Sequence, residues 1–145
     1  MDRSSREEVG GQNALITLDT SAVVGLLDSR DQAHGVAIAA LELERTPIVP
    51  ALALAEVAYM VTKRAGERVL VGFLGGFVEG STLLDCGDVD IPRVRDLMIR
   101  YQDLPLGFAD AAVIACAERN GGRIMTFDRR DFEVVARDVA ISVVP

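Results

Sequence analysis

Two cysteines, one histidine and one lysine among 145 residues remove several kinds of chemistry at the outset. Cys86 and Cys116 stand in different contexts, one after a strand-like run and one in an apolar helix pattern, with no C-x-x-C spacing and no histidine beside them. A zinc site is therefore not expected, and the pair reads as free thiols, which places the chain in the cytoplasm. His34 is the only histidine and sits on a polar helix face, so no Ser-His-Asp or Cys-His arrangement is available. Lys63 is the only lysine. It lies beside Arg64 and near Glu67 at an expected helix end, where it serves no phosphate loop. No apolar stretch reaches the roughly 18 unbroken residues of a membrane span.

Basic residues are also in the minority. Fifteen Lys and Arg face 22 Asp and Glu, a net charge of −7. Such a balance opposes binding to a polyanion, because phosphate recognition rests largely on Lys and Arg. The objection weakens where several acids gather around divalent cations, whose charge inverts the local field.

What is present is an ordinary globular composition, 50% apolar and 26% charged, at a length that supports one core without staples. Residues 1–13 hold Asp2, Arg3, Arg6, Glu7 and Glu8 and then Gly10-Gly11. They lack the pattern of a signal peptide and are expected to be a flexible N-terminal extension, with one domain over 14–145. Strands are expected at Ala14–Leu18, within Pro47–Pro50, and at Thr82–Leu84, Arg123–Phe127 and Ala140–Val144. Helices are expected at Thr20–Leu27, Asp31–Glu44, Ala51–Lys63, Glu67–Val78, Ile91–Tyr101 and Leu106–Arg119, the last closed by Asn120-Gly121-Gly122. Short apolar strands alternating with helices imply a parallel sheet covered on both faces. Ligands of such sheets bind at the carboxyl ends of the strands.

Acids stand at that edge where the apolar pattern has no place for them. Asp19 is the only charge from Val9 through Leu27, Glu56 the only one from Thr46 through Thr62, and Asp110 the only one from Leu104 through Ala117. Asp128 closes the strand-like run Ile124–Phe127. Taken singly, Asp19 and Asp128 are explained as helix caps, Asp110 as a first-turn carboxylate and Glu56 as half of a buried ion pair in an apolar helix. Taken together they fall near one edge. Converging carboxylates repel, so either their pKa values rise or a cation sits among them. Oxygen ligands without His or Cys suit Mg²⁺ or Mn²⁺, and such clusters serve phosphoryl chemistry with an activated water.

Leu18-Asp19-Thr20-Ser21-Ala22, Glu56 in its alanine-rich helix, Phe108-Ala109-Asp110-Ala111 and Thr126-Phe127-Asp128-Arg129-Arg130-Asp131-Phe132 together resemble the PIN-domain ribonucleases, VapC-type toxins in particular. The resemblance covers nearly the whole chain after the first dozen residues, in order. It implies a three-layer PIN-like α/β fold with a central five-stranded parallel sheet. It also implies hydrolysis of single-stranded RNA by metal-activated water, with Asp19, Glu56, Asp110 and Asp128 holding Mg²⁺ or Mn²⁺. Ser21 and Thr126 match hydroxyl neighbours, and Asp131 a less constant acidic position. A small antitoxin partner and a homodimer are further implications, the apolar run Val69–Val78 offering surface for the second copy. Arg123, Arg129 and Arg130 flank the last acid and are candidate phosphate contacts by forked hydrogen bonds. Tyr59, Phe108, Phe127 and Phe132 read as core.

Other assignments fail on particular residues. A haloacid-dehalogenase phosphatase needs a second acid two residues after the first, where Ser21 stands, and a catalytic lysine. A receiver domain needs paired acids at its first strand. Gly72 to Gly76 follow no strand and precede no Lys-Ser/Thr. The competing class is a PIN-like module that binds protein or RNA without catalysis, and a housekeeping nuclease without an antitoxin is the other alternative.

Overall fold

The computed structural model describes residues 15–44 and 46–145; the N-terminal extension expected over 1–13 lies outside them. The chain runs β1 (Leu15–Leu18), α1 (Thr20–Leu27), α2 (His34–Glu44), β2 (Thr46–Pro50), α3 (Leu54–Ala65), α4 (Glu67–Glu79), β3 (Leu83–Asp85), α5 (Ile91–Arg100), α6 (Phe108–Arg119), β4 (Arg123–Met125), α7 (Arg130–Val135) and β5 (Ser142–Val144). Single 3₁₀ turns at Ala51–Ala53 and Asp88–Asp90 lead into α3 and α5.

The five strands form one sheet in the order β3-β2-β1-β4-β5, and every pairing is parallel. β1 lies at its centre, with Thr17 opposite both Ile48 and Ile124. Alternate side chains of a strand face opposite layers. Ile16 and Leu18 accordingly pack with Val49 and Met125 against Ala22, Val23, Val57 and Val61 of α1 and α3. On the other face Ile124 packs with Val94 and Leu97 of α5, Val113 and Ile114 of α6, and Phe132 and Val135 of α7. Burying each such Val, Leu, Ile or Phe contributes about 1.5–3 kcal/mol, so the two apolar layers hold the helix N-termini against the sheet edge.

Most expected elements are present, with shifted ends. α2 begins at His34 rather than Asp31 because the Asp31 carboxylate accepts from the Ala33 amide at 2.8 Å and closes a turn before the helix. His34 is partly buried and its Nδ1 lies 2.8 Å from the Gly25 carbonyl, tying α2 to α1. α7 was not expected: its six residues are too few for a 3.6-residue period to show. Gly122 has φ +83°, and a Cβ there would lie 2.7 Å from the Ala140 carbonyl, so this turn between α6 and β4 requires glycine.

The expectation of free thiols is overturned. Cys86, just past β3, and Cys116, on α6, form a disulfide with their Cα atoms 5.4 Å apart, both buried beside Ile48. The loop after β3 folds under the sheet against α6, a long-range contact that local context could not reveal. The inference of a reducing compartment from unpaired thiols goes with it. Among the described residues no helix is long and apolar enough to cross a membrane.

Candidate active site

A parallel sheet with short turns delivers the residues that follow its strands to one edge. Asp19 follows β1 and Asp128 lies three residues past β4, while Glu56 and Asp110 occupy the first turns of α3 and α6. All four line one pocket of about 370 Å³, together with Thr20 and Ser21 of α1. The sequence-based set is therefore brought together in space. A neighbouring hollow of about 500 Å³, walled by Leu52, Ala55 and Phe108, shares Glu56 and Asp110 with it.

Asp19 is the most firmly held of the acids. It is buried and is the N-cap of α1, its Oδ1 accepting the Thr20 amide at 2.7 Å. Its Oδ2 accepts the hydroxyls of Ser21 at 2.8 Å and Thr126 at 2.6 Å. Each hydroxyl has one proton to give, so both are donors to Asp19 and both accept from the backbone, Ser21 from the Phe127 amide at 2.9 Å and Thr126 from the Asp128 amide at 3.0 Å. The loop after β4 is thus fastened to α1 through the carboxylate of Asp19. Burial raises the pKa of Asp19, while the Thr126, Ser21 and Thr20 hydrogen bonds oppose the rise.

Glu56 corrects an expectation. It is exposed, not buried, because α3 turns Val57 and Val61 inward and leaves Ala55, Glu56, Tyr59 and Lys63 outside. Its Oε2 accepts the Thr20 hydroxyl at 2.8 Å, which turns the carboxylate toward α1. Asp110 is partly buried, and its pKa is pushed up to about 7, first by burial and then by the charges of Asp19, Glu56, Asp128 and Asp131. Asp131, in the first turn of α7, therefore belongs to the same electrostatic neighbourhood.

Among the described residues no three of these side chains are already drawn into metal-ligating geometry. They converge on one open pocket. The donor set is oxygen only, which fits a hard ion such as Mg²⁺ or Mn²⁺.

The three arginines expected at the site separate. Arg123 stands at the amino end of β4, away from the acids, where it forms a forked ion pair with buried Glu44. Its expected place beside the last acid is not where the fold puts it. Arg129 is engaged by Glu133 at 2.7 Å and by the Pro145 carbonyl, and Arg130 is exposed at the start of α7. Of the aromatic residues read as core, Phe132 is buried, Tyr59 and Phe108 are exposed, and half-buried Phe127 lines the pocket. Sequence reasoning missed Thr20, Met60 and Arg64. The last two follow Glu56 at four-residue intervals, a spacing that would have shared its helix face.

A five-stranded parallel sheet with acids gathered at its carboxyl edge is the architecture of the PIN domain, whose family matches residues 16–138. The chain belongs to the PIN-domain family. It is 30% identical over 121 residues to Ribonuclease VapC26 of Mycobacterium tuberculosis, covering 81% of this chain and 90% of that one. Among solved structures, the sarcin-ricin loop cleaving toxin VapC20 of M. tuberculosis superposes with a TM-score of 0.73 at 20% identity, over 83% of this chain and 94% of that chain. VapBC2 of Rickettsia felis, bound to a DNA fragment from its promoter, matches with a TM-score of 0.64 at 16% identity, over 90% of this chain and 97% of that one. FitAcB of Neisseria gonorrhoeae matches at 0.59 with 19% identity, over 90% and 96%. These structural likenesses carry the fold.

Proposed function

We propose that the chain is a VapC-type toxin, a divalent-metal-dependent endoribonuclease that hydrolyses single-stranded RNA. The observation that carries the reading is the meeting of Asp19, Glu56, Asp110 and Asp128 in one pocket, where burial first and then the charges of the other three push Asp110 up to about 7. Asp19 and Asp110, with Glu56 and Asp128 beside them, are the residues that would hold Mg²⁺ or Mn²⁺. A bound ion of this kind supplies charge neutralisation at the phosphate and activation of water.

The chain's own groups do the positioning. Thr126 and Ser21 fix the Asp19 carboxylate, and Thr20 aims Glu56 across the pocket. Asp110 is poised near neutrality, so it gives up its proton readily when a cation arrives. Asp131 adds negative potential from α7.

The toxin reading includes a small antitoxin and a second copy of the chain as partners. What supports an interface is α4, which buries no residue completely and leaves Val71 61% and Val78 89% exposed.

Purified protein should cleave single-stranded RNA with Mg²⁺ or Mn²⁺ and stop on addition of a chelator. Asp19→Asn or Asp110→Asn should each slow cleavage by a factor of about 100 or more. Unchanged cleavage in both variants would remove the metal assignment, and RNA binding without cleavage would make the chain a binding module.

A further inference from the structure

The pocket continues beyond the carboxylates. Glu56, Met60 and Arg64 recur at four-residue intervals on α3, spread over about 12 Å of one helix face, and all three line the same pocket as Asp19. Val24, Met60 and Phe127 add apolar surface to its lining, and Asp31 a further carboxylate beside Arg64. The pocket's volume of about 370 Å³ lies within the range of about 300–1,000 Å³ typical of small-molecule sites.

Arg64 is the one cation among the described residues that line this pocket. Two carboxylates of the turn between α1 and α2 aim its guanidinium: Nη2 lies 3.4 Å from Asp31 Oδ2, and Nε lies 3.9 Å from Asp28 Oδ2. Arg30 donates to the Arg64 carbonyl and secures the end of α3 from behind. The Arg64 side chain remains 46% exposed, and a guanidinium has five N–H donors, so donors remain beyond those the two carboxylates engage. In a protein of net charge −7, a strand entering past Glu56 and Asp110 meets repulsion along the way. Arg64 is the lining group at the far end that can donate to a phosphate, its charge offset in part by Asp31 and Asp28.

The geometry points to a nucleotide subsite: Arg64 holds, by forked hydrogen bonds, a phosphate neighbouring the scissile one, and Val24, Met60 and Phe127 pack against the base between them. The subsite rests on the ribonuclease reading above. It makes Arg64 a binding residue and not a catalytic one, because it stands at the opposite end of the pocket from the reacting group.

The test compares the native chain, Arg64→Ala, Arg64→Lys and Met60→Ala on one single-stranded oligoribonucleotide, after thermal melts confirm that each variant is folded. Binding is read by fluorescence anisotropy on an Asp110→Asn background, and cleavage on the otherwise native chain. Arg64→Ala should raise both Kd and KM about tenfold, the value of one charge-assisted contact, while kcat stays within about twofold. The slope of log K against log salt should fall by about 0.7, the loss of one phosphate contact to a single strand. Arg64→Lys should keep that slope while binding more weakly than native, and Met60→Ala should raise KM without changing the slope. Cleavage and binding by Arg64→Ala indistinguishable from native overturn the subsite and leave the ribonuclease reading intact. A fall in kcat with unchanged KM also overturns it. A native chain that neither binds nor cleaves RNA overturns both.

Discussion

The hydroxyl of Thr126 donates to Asp19 Oδ2 at 2.6 Å across 107 residues of sequence, and both side chains are buried. This bond joins the ends of the central strand β1 and its neighbour β4 at the point where burial raises the pKa of the carboxylate. Thr126 is one of three donors that favour the charged form of Asp19, and it simultaneously accepts the Asp128 amide.

Thr126→Val keeps the shape and removes both bonds. The pKa of Asp19 should rise further, and RNA cleavage should fall about tenfold or more, with the acid limb of the pH–rate profile moved upward. Thr126→Ser restores donor and acceptor and should keep most of the activity. Equal rates for the valine and serine variants would show that the hydroxyl does not set the state of Asp19.

The raised pKa of Asp110, about 7, contributes to the pH dependence of the metal-free fold. The folded chain holds a proton that the unfolded chain releases near pH 3.9. The stability from that proton is fully present below the unfolded value and is lost as pH rises through about 7. Metal-free protein should therefore melt lower at pH 8 than at pH 5, beyond what Asp110→Asn shows over the same range. At pH 8 the variant should be equally or more stable than the native chain. Mg²⁺ should raise the native melting temperature with concentration and affect the variant less. If the carboxylate served only as a helix cap, its replacement would instead cost about 0.5–2 kcal/mol with no specific response to Mg²⁺.

What the sequence made legible follows from how local each signal is. Asp19, Asp110 and Asp128 interrupt apolar runs, and a parallel sheet then places them at one edge. Glu56 was found by the same rule, but its exposure was not, because alanines hide which side of α3 faces the core. Arg64 and Met60 look like ordinary helix residues until the fold sets α3 beside α1. The Arg123–Glu44 ion pair and the Cys86–Cys116 bond join segments 79 and 30 residues apart, and no local pattern announces such pairs. α7 is only six residues long and carries too little periodicity to be seen.

Thr17, at the centre of β1, has a fully buried hydroxyl with no partner among the described residues. An unsatisfied buried donor costs about 1–3 kcal/mol, and its strand neighbours Ile48 and Ile124 offer only apolar surroundings. Thr17→Val should stabilise the fold by about 1 kcal/mol and raise Tm by about 3–4 °C, with RNA cleavage unchanged. A lower Tm would mean that the hydroxyl is hydrogen-bonded in solution.

The disulfide separates two effects in one place. Cys86 and Cys116 are 30 residues apart, and closing a loop of that length restricts the unfolded chain by about 3–4 kcal/mol. Cys86→Ala with Cys116→Ala should lose stability of that order in chemical denaturation. Cys86, however, is the only described non-glycine residue in the left-handed region, at φ +67°, a conformation that an alanine side chain resists and glycine does not. Cys86→Gly with Cys116→Ala should therefore be the more stable double variant, by about 0.5–1 kcal/mol. The disulfide is buried, so reductant should act on the native protein only as fast as it opens, and RNA cleavage well below Tm should survive in both variants. The reverse order of stability would mean that the backbone at residue 86 leaves the left-handed region once the bond is gone.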